Sequence, residues 1–230
     1  MSTVERRGAP VLPPLTAGDR LDQPAFHERY QAMPPMTRAE LVGGIVLMPS
    51  PLSFDHGETS VDVAGWLFHY RRKTPGVRGA NDATVILSPR GEPQPDTLLF
   101  IPAQLGGQAR INAAGYLEGA PELVVEIGRS SRHLDLNAKK SDYEQAGVRE
   151  YLFIGLDPDE VRWFQRGRRG FTAQPAGPDA IFRSQVFPGL WLDPEALFAA
   201  DLDRLIHALD QGINTPEHAA FAAQPAAATH

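Results

Sequence analysis

Between Pro121 and Gly128 the chain is apolar at Leu123, Val124, Val125 and Ile127, with a carboxylate set among them at Glu126. Near-continuous branched aliphatics mark a strand covered on both faces. Apolar runs at 97–101, after Pro95-Asp96, and at 150–154 predict further strands, with another at 160–164 beyond the turn at Asp157-Pro158-Asp159. Residues 45–48 read as a short strand, 77–87 as a bent strand or hairpin, and 104–119 as loop.

Helical periodicity appears in other stretches. Residues 22–33 fit a short helix stopped by Pro34-Pro35, and Thr37 with Glu40 has the spacing of a capping box, broken at Gly43-Gly44. From Asp55 to Lys73 the residues Val61, Ala64, Leu67 and Phe68 share a face, and Arg71-Arg72-Lys73 suit the negative end of the helix dipole. A helix at 134–146 ends at Gly147, and Asp193-Pro194 opens a last one through Leu197, Leu205 and Leu209. Strands interleaved with helices, without strict βαβ alternation or a Gly-rich nucleotide fingerprint, predict an α/β fold with a mixed central sheet flanked by helices.

Length and composition narrow this further. The 230 residues suit one domain, expected over 21–212, after a Pro-, Gly- and Ala-rich flexible lead-in (1–20) and before a disordered Ala- and Pro-rich tail (213–230). A net charge of −6 argues against non-specific coating of nucleic acid but leaves room for a local basic groove. With 0 cysteines, disulfides, thiolate zinc sites and cysteine nucleophiles are excluded. No run has membrane-spanning length and Met1–Pro14 has no apolar signal core, so the expected setting is cytoplasmic, without membrane association.

The chemistry gathers around Glu126. A carboxylate in a buried strand needs a partner, a metal or a proton. Asp96 opens the preceding strand, and the helix after Glu126 carries Lys139 and Lys140, in one stripe with Leu136 and Tyr143, so that either ammonium could point inward. Glu40 and His56 are softer candidates; no HxH or HExxH pair supports a histidine metal site, and no G-x-S-x-G elbow supports a serine hydrolase. Arg129, Arg132, His133, Lys139 and Lys140 concentrate positive charge beside these acids, the sign a phosphate backbone requires, and Arg166, Arg168 and Arg169 form a second cluster near a hairpin.

Several segments in order resemble the Uma-two (Uma2) family of restriction-type endonucleases, within the PD-(D/E)XK nuclease superfamily. They are residues 39–51 with His56, Pro95-Asp96, residues 121–127, the Asp135-x-x-x-Lys139-x-x-x-Tyr143 helix running on to Tyr151, and residues 187–192 with Leu197-Phe198. The resemblance implies a restriction-endonuclease-like core in which Asp96 and Glu126 ligate Mg2+, with Mn2+ as a substitute. It further implies that Lys139, selected over Lys140 by the family spacing, and Glu40 complete the catalytic set, and that Arg129, Arg132, His133 and Lys140 meet the DNA. The parent motif places its lysine two residues after the glutamate, where this chain has Gly128, and the following turn, Gly128-Arg129-Ser130-Ser131, is shorter. The implied activity is Mg2+-dependent DNA cleavage, with a homodimer by analogy to nucleases that cut both strands. The alternatives are a nuclease-fold module that binds nucleic acid without cutting it and a metal-dependent hydrolase of small phosphate esters.

Overall fold

The computed structural model of the chain describes residues 12–227. Helix α1 (Gln23–Gln31) is followed by the strands β1 (Glu40–Val42) and β2 (Ile45–Leu47) and by the long helix α2 (Phe54–Lys73). Strands β3 (Arg78–Asn81), β4 (Val85–Ile86), β5 (Thr97–Phe100), β6 (Arg110–Ile111) and β7 (Leu117–Glu118) lead to the apolar strand β8 (Leu123–Gly128). A helical segment then runs in three parts: α3 (Arg132–Leu134), a π-helical turn (Asp135–Lys139) and α4 (Lys140–Ala146). Strands β9 (Glu150–Leu156), β10 (Asp159–Gly167), β11 (Gly170–Gln174), β12 (Phe182–Arg183) and β13 (Trp191–Leu192) follow, then helices α5 (Pro194–Phe198), α6 (Leu202–Ile213) and α7 (Pro216–Ala227).

The central sheet has six strands in the order β11-β10-β9-β8-β5-β3. The β8–β9 pair is parallel and the others antiparallel, which makes it the mixed sheet the pattern predicts. Period-two alternation along β8 divides its side chains. Leu123, Val125 and Ile127 pack with Val63, Trp66, Leu67 and Tyr70 of α2. Val124 points to the other layer, with Tyr143 of α4 and with Tyr151 and Phe153 of β9. Burial contributes about 1.5–3 kcal/mol per large apolar side chain, so each layer has ample driving force. Glu126 falls on the α4 side, and that parity decides what it meets.

Several expectations change. Glu40 does not close a capping box: Gly43 and Gly44, both with positive φ, turn the chain into the β1–β2 pair and put Glu40 on a strand. Helix α2 buries Val63, Trp66, Leu67 and Tyr70, leaving Val61 and Phe68 exposed. The aromatic face wins because its bodies bury more area, while the Trp66 indole and Tyr70 hydroxyl donate to the Trp191 and Pro188 carbonyls (2.9 Å each). Residues 104–119 are not wholly loop but supply β6 and β7, which pair with each other, β7 pairing also with β4. The last predicted helix is two, α5 and α6, with Asp201 capping the second.

The ends are more ordered than composition suggests. Within the expected lead-in, Leu15 is buried beside Phe26 and Leu41, and the Gly18 amide donates to the Val46 carbonyl; residues 1–11 lie outside those described. The expected disordered tail instead contains α7, because alanine favours helix and Phe221 and His218 give it something to bury. Residues 228–230 lie outside those described. Among the described residues, no helix is long and apolar enough to cross a membrane.

Candidate active site

β8 carries Glu126 almost to its end, and β5 runs antiparallel beside it with Thr97 opposite Val125. Asp96 immediately precedes Thr97, one residue before the first paired position of β5. Asp96 is fixed there from two sides. Its Oδ2 accepts from the Ile127 amide (2.7 Å), and its Oδ1 lies 3.2 Å from His56 Nε2, at the start of α2.

Lys139 comes from the π-helical turn, and its side chain is the one that turns inward. Its Nζ donates to both oxygens of Glu126 (3.1 Å each) and lies 3.0 Å from Glu40 Oε2. The Tyr143 hydroxyl, one turn on, donates to Glu126 Oε1 at 2.6 Å. Glu40 Oε1 accepts from the Gln94 amide at 2.6 Å. Glu126 and Lys139 are only 3% and 6% exposed. Lys140 points elsewhere, with its ammonium 4.7 Å from the centre of the Phe164 ring.

The wide turn also buries Asp135 together with Lys139. Asp135 Oδ2 accepts from Ser131 Oγ at 2.6 Å, and the same oxygen lies 2.6 Å from where a Cβ at Gly128 would stand. That contact accounts for the glycine. The slot from which a strand lysine would project is filled by Asp135, Ser131 and Phe153.

These groups line one cleft of about 600 Å3, with Glu40, His56, Asp96, Glu126, Asp135 and Lys139 in its wall. Burial pushes Glu126 well above the usual carboxylate range, with Asp96, Glu40 and Asp135 adding to it against the pull of Lys139. Burial likewise lifts Asp135 to about 6. Burial opposes the charge on Lys139, but Glu126, Glu40 and Asp135 outweigh it and hold the ammonium well above its ordinary range. The hydrogen bond to Asp96 raises His56, against its burial. Four acids, Glu40, Asp96, Glu126 and Asp135, share this cleft wall with Lys139, His56, Arg38 and Arg129, and the mutual repulsion of the acids helps raise Glu126 and Asp135.

The donor set suits a hard cation. Among the described residues no three His, Asp or Glu side chains are gathered closely enough to cage a metal by themselves. Mg2+ commonly takes only one or two carboxylates and fills its remaining positions with water and phosphate. Asp96 and Glu126, both in the wall of this cleft, fit that pattern.

The positive residues beside the site are less uniform than their sequence suggests. Arg129 lines the cleft and pairs with Asp55 (2.8 Å), as does Arg38, which pairs with Asp82. Arg132 instead binds Glu160, and neither it, His133 nor Lys140 is part of the cleft wall. Ser131, Asp135 and Tyr143 join the site without having been chosen for it from residue chemistry, and His56, a softer candidate there, joins it through Asp96. For Asp135 a signal was present, in its i, i+4 relation to Lys139. His56 meets a partner 40 residues away, for which no local spacing exists.

No match is found among curated proteins. The fold is similar to that of a solved structure from Anabaena variabilis, titled "a putative nuclease belonging to DUF820", with a TM-score of 0.57 at 15% identity over 75% of this chain and 96% of that one. A family model described as "Putative restriction endonuclease" matches residues 25–195, a span that includes every residue of the cleft named above, and the chain belongs to this family, Uma2.

Proposed function

We propose that the protein is a metal-dependent endonuclease that hydrolyses DNA phosphodiester bonds, with Asp96 and Glu126 holding Mg2+ or, in its place, Mn2+. The observation that carries this reading is the meeting of Glu126, Asp96 and Lys139 in one deep cleft, from β8, the start of β5 and the helical segment. When bound there, the metal would polarise the scissile phosphate and make a water more acidic.

The chain's own residues hold and charge-balance that site. The Ile127 amide and His56 orient Asp96, and Tyr143 orients Glu126. The Lys139 ammonium, kept protonated by its acidic neighbours, offers positive charge to the phosphate as negative charge develops on it. Glu40 holds Lys139 from the opposite side and sits on the cleft wall as a further oxygen donor. Arg129 supplies a phosphate contact at the cleft mouth, exchanging its exposed partner Asp55 for the backbone.

The reading is tested by plasmid nicking and calorimetry together. Asp96→Ala and Glu126→Ala are expected to abolish Mg2+-dependent nicking and to remove most of the Mg2+ or Mn2+ binding heat, with circular dichroism unchanged. Undiminished nicking by both variants would sink it. The second reading, a nuclease-fold module that binds DNA without cutting it, draws on the full engagement of Lys139 by Glu126 and Glu40. It predicts DNA binding by the unaltered protein with no metal heat that depends on Glu126.

A further inference from the structure

One feature of the cleft is unexplained by the hydrolytic groups: its lip. Glu40, Glu126, Asp135 and Lys139 are buried in the cleft wall, and a scissile phosphate must come within reach of them. Around the mouth the surface is unusually apolar. Of the nine large apolar side chains exposed among the described residues, five fall between residues 36 and 54, and Ile45, Met48 and Leu52 of that group line the cleft. Phe54 follows Ser53 on the rim and is 79% exposed, beside Asp55 and its partner Arg129. Exposed apolar patches of this kind mark surfaces with an occupant.

We infer that the cleft takes an unpaired nucleic-acid strand, whose bases stack on the lip at Leu52 and Phe54 while its phosphates pass Arg38 and Arg129 to the acids below. This rests on the nuclease reading and narrows its substrate to single strands, bubbles or flaps. A duplex buries its bases by pairing and stacking, so it offers no base face to an apolar lip unless its strands part. A single strand offers one, and base faces resting on exposed apolar and aromatic side chains beside basic walls are how such strands are held without sequence preference. The charge on the walls is complementary: among the described residues Arg38 and Arg129 pair with Asp82 and Asp55, in exposed ion pairs of small worth that a phosphate can displace. A peptide or a second copy of the chain would cover the apolar rim but would leave the arginines and the acidic floor without a matching group.

The test uses the full chain with Mg2+ and three DNAs of one sequence: a single strand, a duplex, and a duplex with a central unpaired bubble. Cleavage of the single strand and of the bubble is expected to be at least about tenfold faster than that of the duplex. With Ca2+ replacing Mg2+, the Leu52→Ser and Phe54→Ala variants are expected to weaken single-strand binding about tenfold each and to reduce the fluorescence change of a 2-aminopurine base in the strand. Their melting temperatures should stay unchanged, because both side chains are exposed. Equal cleavage of all three DNAs, abolished by Glu126→Ala, overturns this inference and leaves the nuclease reading standing. Lip variants that bind single strands normally also overturn it. A lip-dependent dimer in sedimentation, with single-strand binding that is indifferent to Leu52 and Phe54, assigns the rim to a second copy and overturns this inference alone.

Discussion

The Lys139 ammonium lies 3.1 Å from each carboxylate oxygen of Glu126, although β8 carries one and the π-helical turn the other. Removing the ammonium leaves Glu126 and Glu40 buried and facing each other without a cation. Breaking a buried pair from one side costs about 3–5 kcal/mol, so Lys139→Met should lose both nicking and a stability of that order. Adding Glu126→Gln should restore part of the stability and none of the nicking. Urea unfolding of the single and double variants, read as a double-mutant cycle, checks this; additive losses would show that the pair is uncoupled.

Gly128 gives a second prediction, on why the lysine is not on the strand. A Cβ there would stand 2.6 Å from Asp135 Oδ2 and 2.8 Å from Phe153 Cε2. Gly128→Ala should therefore cost about 1–3 kcal/mol as an overpacked site. Gly128→Lys combined with Lys139→Ala, which moves the ammonium back to the parent position, should be destabilised further and fail to nick. Activity in that double variant would mean that Asp135 and Ser131 yield the slot.

The strand carrying Glu126, its neighbours at Asp96 and Glu150, and the mixed sheet were legible because apolar runs and their breaks are local properties. The choice between Lys139 and Lys140 was not legible in periodicity, since both share one helical stripe, and came, in the sequence, only from the family spacing. It is made by the π-helical turn and by the Phe164 ring that takes the other ammonium. Glu40 was misplaced for a related reason. The Thr37-to-Glu40 spacing is a good local cap signal, and the bridge of the adjacent Leu41 to Glu92 and the ion pair of Glu40 with Lys139 override it. In the tail, alanine counted as absence of a core, whereas Phe221 packs against Phe187 and gives the helix an apolar contact.

Asp135 supplies a prediction in pH. Its carboxyl titrates near 6 in the fold against an ordinary value of 3.8, because burial disfavours the charged form. The folded protein therefore holds this proton more tightly than the unfolded chain does. Stability from this group is fully present below pH 3.8 and is lost as pH rises through about 6. The loss is on the order of 3 kcal/mol at neutral pH. Asp135→Asn should accordingly melt higher than the unaltered protein at pH 8 and level with it near pH 4. A difference independent of pH would remove burial as the cause.

The docking of α7 turns on His218 and Thr74. Thr74 Oγ1 donates its one proton to the Tyr70 carbonyl (2.8 Å), so at 2.9 Å the His218 Nε2 must be the donor to Thr74. Burial holds His218 below its ordinary value of 6.5, so the unfolded or undocked histidine takes up a proton first. The contribution of this residue is complete above pH 6.5 and is lost as pH falls from there toward the folded value. Hydrogen exchange of the α7 amides should thus quicken, relative to the sheet, between pH 7.5 and 5.5 after correction for intrinsic rates. His218→Gln keeps a donor for Thr74 without a titrating ring and should flatten that dependence, while Thr74→Val should loosen α7 at every pH by about 1 kcal/mol. An α7 that exchanges with the same pH profile in the Gln variant would assign the docking to Phe221 and Phe187 alone.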